Sequence, residues 1–177
     1  MELLFVSLLL FGIPMPQGVD SSVAVSIEYA TPPSGSFAAA LRVRLEQSTP
    51  VGGGSLRLAS VGEVQAGQLR QRLIIVKILG ECRVLSGPPA IWRPDPLGWV
   101  ERVDGRILSF VFVDCTRVSE ALRRIGHSGD RGTRETGMAG AVALVIRHEM
   151  RHILLQTTDH ETRGEYKAAL RAEELNR

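Results

Sequence analysis

The segment His148-Glu149-Met150-Arg151-His152, followed by His160, holds three of the chain's four histidines and ends its longest apolar run outside the N-terminus. On a helix, the i, i+4 spacing turns His148 and His152 onto one face, where both imidazoles reach one metal ion. Glu149 then lies one residue along, beside the open coordination position. Each group has a chemical reason to be there. Two neutral imidazoles hold Zn2+ without cancelling its charge, the metal acidifies a bound water, and the carboxylate takes that water's proton as it attacks a carbonyl. The competing reading is a chance string on an ordinary helix, with the histidines paired to local acids in the core and no metal. Context favours the metal. Residues 137–146 are apolar on nearly every face, which describes a buried helix, and polar groups at its end need a partner that coordination supplies.

A third protein ligand is expected, and His160 is the first candidate. If the helix ran straight through, His160 would stand about 12 Å beyond His152 along the axis, whereas Zn–N bonds are about 2.1 Å. The helix must therefore end near Leu155 or Gln156, with Thr157, Thr158 and Asp159 forming a polar turn that brings His160 back beneath the first two ligands. A further helix is expected from about Glu161 to the C-terminus. Glu173 and Glu174, about twenty residues past His152, are rival third ligands, as in thermolysin-like sites; they also suit a solvated helix face.

The run His148-Glu-Met-Arg-His-Ile-Leu-Leu-Gln-Thr-Thr-Asp-His160-Glu-Thr-Arg-Gly164 resembles the pattern HExxH-x-LL-G-xxx-H-S-xx-G-I-M of small secreted zinc metalloproteases of soil bacteria. The spacing of all three histidines and of Gly164 agrees. The resemblance extends loosely upstream, through a strand ending in Asp114-Cys115, a short helix and a small-residue-rich helix. It implies an α+β, zincin-like fold, in which a small mixed β-sheet packs on helices around a buried HExxH helix at about residues 137–156. It also implies zinc as cofactor, a peptide or protein substrate, and amide hydrolysis with Glu149 as general base. The chain departs from the pattern at Arg151 and Gln156, where the family has glycines, and at Glu165-Tyr166, where it has Ile-Met. No methionine follows His160, so a metzincin-like methionine turn is absent. Gln156 enters a left-handed turn at greater cost than glycine, and Arg151 sets a bulky cation beside a ligand, either blocking the site or pointing to solvent. These departures leave a second reading, a catalytically inactive binding module that keeps zinc for stability. Tyr166 is a candidate to steady an oxyanion, or else packs in the core.

Further upstream, Val23-Tyr29 alternates like a strand, Ser36-Gln47 is helical behind Pro-Pro-Ser-Gly, and Ser55-Val61 is a weak strand. Leu73-Leu79 and Ile107-Val113 are strong strands. Between them, Ser86 to Gly105 carries four of the nine prolines and both tryptophans, which predicts a long surface loop. Trp92 and Trp99 either line a substrate cleft or pin that loop to the core. A short helix is expected over Thr116-Ile125 and a charged, glycine-rich loop over His127-Glu135. His127 is expected to be an ordinary loop histidine, reaching a metal only if that loop folds over the site.

The apolar run from Leu3 to Ile13 is too short for a membrane span and matches a secretory signal peptide, although no basic residue precedes it. An uncleaved anchor or a misplaced start are the alternatives. Export, with a single domain over residues 19–177 and a secreted or periplasmic location, is the expectation, with no stable membrane span after signal removal. Cys82 and Cys115 each end a strong strand, so a bridge forms if those strands are neighbours; otherwise both are buried thiols. The net charge is only +2, with acids interspersed, and all but two of the 21 basic residues are arginine. That describes a solvated face and excludes a nucleic-acid-binding stripe.

Overall fold

The computed structural model describes residues 22–50, 54–60, 62–63, 72–83, 96–124 and 130–160. Among these are five strands and three helices: β1 (Val23–Tyr29), α1 (Gly35–Glu46), β2 (Leu56–Leu58), β3 (Arg72–Leu79), β4 (Gly98–Val103), β5 (Arg106–Asp114), α2 (Cys115–Arg124) and α3 (Arg131–Leu155). The strands form one mixed sheet in the order β2-β1-β3-β5-β4. All neighbours are parallel except β4, which runs antiparallel to β5 at the edge. The small mixed sheet packed on helices is thus as expected from the sequence.

Alternation decides which way the sheet faces. In β3, Ile74, Val76 and Ile78 are buried, and they pair in register with Val25, Ile27 and Tyr29 of β1. Val76 and Ile78 also pair with Val111 and Val113 of β5, so one apolar face runs across the three central strands. Helix α3 packs on β4, β5 and the other two helices. Its residues Met138, Ala139 and Ala141 to Ile146 are all buried, as an all-round apolar helix must be. Helix α1 fills in beside it through Phe37, Leu41 and Leu45, spaced four apart and fully buried.

Helix starts follow local hydrogen-bond chemistry. Ser34 Oγ accepts from the Phe37 N–H at 3.2 Å, and Asp130 Oδ1 accepts from the Thr133 N–H at 2.7 Å, each satisfying an amide that the first turn leaves without a partner. The Asp130 cap corrects an expectation: α3 begins at Arg131, inside the segment read as a loop to Glu135. The Ser36 hydroxyl donates to Glu135 and so ties the first turn of α1 to the second turn of α3. Beyond β2 the expected strand stops at Leu58, because Glu63 folds back to accept from the Ser60 N–H and hydroxyl at 2.7 and 2.9 Å.

The larger correction is β4. The expected loop from Ser86 to Gly105 contains a strand over its last third, joined to β5 by Asp104 and Gly105, both with positive φ (49° and 80°). An Asp-Gly pair in that conformation is the tight turn that right-twisted hairpins favour. Trp99 pairs with Phe112, and their rings stack 5.3 Å apart at 7°, so this tryptophan pins a strand rather than a loop. Trp92 lies outside the described residues, as do His127, the N-terminal apolar run and everything after His160. Cys82 and Cys115 are disulfide-bonded, joining the turn after β3 to the first residue of α2. No helix among the described residues is long and apolar enough to cross a membrane.

Candidate metal centre

His148, Glu149 and His152 lie in the penultimate and last turns of α3, all buried at 5–8% exposure. Their i, i+4 geometry brings the two imidazoles edge to face with Nε2 atoms 3.4 Å apart. Two nitrogens bound to one tetrahedral zinc at about 2.1 Å stand about 3.4 Å apart, so this pair already has the separation such a site needs. His152 Nδ1 donates to the Thr157 carbonyl at 2.7 Å. Because a carbonyl only accepts, the proton is on Nδ1 and the Nε2 lone pair is left toward His148. Burial holds the His152 pKa below its ordinary 6.5, opposed by the Thr157 carbonyl and reinforced by His160 and Arg151. The neutral, ligating form is therefore favoured.

The chain turns back where the sequence required it to. Helix α3 ends at Leu155, and Gln156 adopts φ 51°, ψ 39°, the left-handed conformation. His160 consequently returns to the cluster, its ring 4.7 Å from that of His152 and 5.4 Å from that of His148. The ligand atoms of the three histidines lie within 4.8 Å of one another, with His148 and His152 buried and His160 exposed. The donor set fits a metal ion. The rival ligands Glu173 and Glu174 lie outside the described residues, as does Tyr166.

Gln156 was expected to make this turn costly, and its side chain shows how the cost is met. Its Oε1 accepts from the Ile107 N–H at 3.1 Å, and its Nε2 donates to the carbonyls of Ile107 at 3.0 Å and Ile153 at 2.9 Å. One amide thus pairs the backbone of β5's second residue while satisfying a helix-terminal carbonyl. Arg72, the first residue of β3, donates to the Leu154 carbonyl at 3.3 Å beside it. Gln156→Gly would relieve the left-handed strain, worth about 1–2 kcal/mol, but would add about 0.4–1 kcal/mol of unfolded-chain entropy and remove three hydrogen bonds worth roughly 0.5–1.5 kcal/mol each. Net destabilisation of about 1–3 kcal/mol is expected in urea melts; a more stable glycine variant would show the amide contacts to be idle.

Gly98 is the site residue that the sequence reading passed over. A Cβ there would meet Val145 Cγ1 at 2.5 Å, the Phe112 carbonyl at 2.8 Å and Glu149 Cγ at 3.3 Å. Only a glycine lets β4 start this close to α3 and to the Glu149 side chain. The signal available was a glycine heading an alternating stretch that runs into Asp-Gly. Gly98→Ala is expected to lower stability by about 1–3 kcal/mol, because the backbone carbonyl of Phe112 cannot yield as a side chain can. A melt equal to wild type would mean that β4 shifts freely.

Burial alone drives the Glu149 carboxyl up from its ordinary 4.5 to about 7. Because the folded pKa is the raised one, the metal-free protein holds the proton where the unfolded chain has lost it. Stability is therefore fully present below about pH 4.5 and declines as pH rises to about 7, by up to about 3 kcal/mol. His152, whose pKa burial lowers, contributes with the opposite slope, so the difference from Glu149→Gln isolates the effect of the carboxyl. In excess chelator, the variant's advantage should be larger at pH 7.5 than at pH 4.5; a constant difference would rule out a raised carboxyl.

These elements define a mixed α/β protein whose described residues hold one group of three histidines able to take a metal ion. Comparisons with family models, with curated proteins and with solved structures gave no match to this chain.

Proposed function

We propose that this chain is a zinc-dependent metallopeptidase with a zincin-like domain, in which His148, His152 and His160 hold the metal and Glu149 is the general base. The observation that carries the reading is the three-histidine cluster itself, two of its nitrogens at tetrahedral-zinc separation with a buried carboxylate one residue away. When bound, zinc supplies a Lewis acid that makes water nucleophilic near neutral pH. Glu149 would take a proton from the attacking water as its oxygen bonds to the carbonyl carbon, and would return it to the amine nitrogen as the C–N bond breaks. A carboxyl with a pKa of about 7 is well matched to both steps, and a nearby cation would favour its ionised form.

Strand β4 suggests how a peptide would be presented. It is the outer strand of the sheet, with β5 as its partner among the described strands, and an exposed edge accepts an extended chain by backbone pairing. Gly98 sets the start of that edge against Glu149. An extended peptide along β4 would therefore pass the cluster with its amides in order. The Cys82–Cys115 bridge is of a kind that persists in oxidising compartments and, with the apolar N-terminal run, supports export to a secreted or periplasmic location. The second reading is the inactive binding module; Arg151 bonds to a loop carbonyl and Gln156 anchors the turn, so neither departure breaks up the histidine cluster, and activity is what separates the two readings.

The test is zinc stoichiometry on the purified protein, followed by cleavage of a quenched-fluorescent peptide library with and without chelator. One zinc per chain and chelator-sensitive cleavage are expected. Zinc without cleavage would favour the binding module, and no zinc would sink the metallopeptidase reading.

A further inference from the structure

Residues 156–160 carry the whole task of bringing the third donor back to the helix it has just left. His160 is exposed, so its placement depends on how firmly the backbone before it is held. Gln156, Thr157 and Asp159 each have an anchor. The Gln156 amide grips Ile107, the Thr157 carbonyl accepts from His152 Nδ1, and Thr157 Oγ1 accepts from the Asp159 N–H at 3.0 Å. The contact that reaches the peptide immediately before His160 comes from Arg151, whose Nη1 donates to the Asp159 carbonyl at 3.2 Å. Arg151 lies on α3 between the two helical histidines in sequence, so one helix supplies two ligands and the clamp on the third.

We propose that Arg151 is a positioning residue for the metal site: its guanidinium holds the Asp159 carbonyl and thereby sets His160 for coordination. This rests on the three histidines being metal ligands. Two effects of the arginine oppose each other, which makes the inference testable by sign. As a bystander cation beside His152 it would repel a divalent ion, and its removal would tighten binding. As the clamp on the third ligand, its removal must loosen binding, as loss of outer contacts at metal sites does by about 10–100-fold.

The experiment measures Zn2+ affinity by competition with a chromophoric chelator, and Co2+ absorption spectra, on wild type, Arg151→Ala, Arg151→Lys and His160→Ala. Melting in excess chelator reports the metal-free fold. Zn2+ affinity about 10–100-fold weaker in Arg151→Ala is expected, with a cobalt spectrum shifted toward that of His160→Ala and an unchanged metal-free melt. Arg151→Lys should recover part of the loss, because an ammonium can still donate to the carbonyl. Arg151 lines a pocket together with Met150, Leu154 and Pro50, so Arg151→Met, which keeps a stem but no donor, carries the test if the alanine variant fails to fold. Equal or tighter zinc binding in the donor-less variants, with wild-type and His160→Ala proteins differing, would overturn the positioning role and leave the three-histidine site intact. Wild type that binds no zinc would instead remove the site reading, and the inference with it.

Discussion

Glu149→Gln is expected, on the proposed metallopeptidase reading, to lower peptide hydrolysis by about 10²–10⁴-fold, the usual contribution of a positioned general base, with one zinc still bound. The glutamine is nearly isosteric and leaves His148 and His152 in their turns of α3, so metal binding and base function separate in one substitution. Two features act together to place the carboxylate. Its position after His148 fixes its direction from the helix, and Gly98 lets β4 start so near that a Cβ there would meet its Cγ at 3.3 Å. Steady-state cleavage of the best library peptide, with zinc content measured on the same sample, checks the result. Activity equal to wild type at full zinc occupancy would assign the base elsewhere.

Replacing Cys82 and Cys115 together with serine is expected to lower unfolding stability by about 3–4 kcal/mol, the loop-closure value for a bridge of this sequence separation, 33 residues. That is a large part of the 5–15 kcal/mol by which a domain is ordinarily stable. The bridge holds the first residue of α2 against the turn that follows β3. Gly80 approaches Thr116 there so closely that a Cβ would meet its Oγ1 at 2.4 Å. Urea denaturation of the double variant, and of wild type with and without reductant, measures the effect. A loss below about 1 kcal/mol would mean that burial of Val118, Ala121 and Leu122 holds α2 unaided, since three such side chains contribute comparable energy.

Much of the site was legible because its geometry is local. The i, i+4 spacing of His148 and His152 is a property of any helix, and the apolar character of residues 137–146 required that helix to be buried. The need to end it near Leu155 followed from the reach of a metal ligand against the rise per residue. The three strands Val23–Tyr29, Arg72–Leu79 and Arg106–Asp114 were legible for a similar reason, since β-branched and apolar runs bounded by turn residues suit few other conformations. Strand β4 was hidden because the prolines just before it dominate the local composition, while the Asp104-Gly105 turn that marks it gains its meaning from pairing with β5.

By itself, then, the sequence determined which side chains are chemically competent, which helix presents two of them, and where the chain must turn to present the third. Periodicity, spacing and side-chain chemistry act within a few residues and need no partner. Tertiary structure alone decided the rest. It paired Gln156 with Ile107, 49 residues away, turning an unfavourable residue at a left-handed turn into the anchor of that turn. It set Gly98 against Glu149, made a strand of residues 98–103, and brought the two cysteines together. Each of these depends on a contact between segments far apart in the chain, whose energy is realised only when the sheet and α3 have assembled around one core.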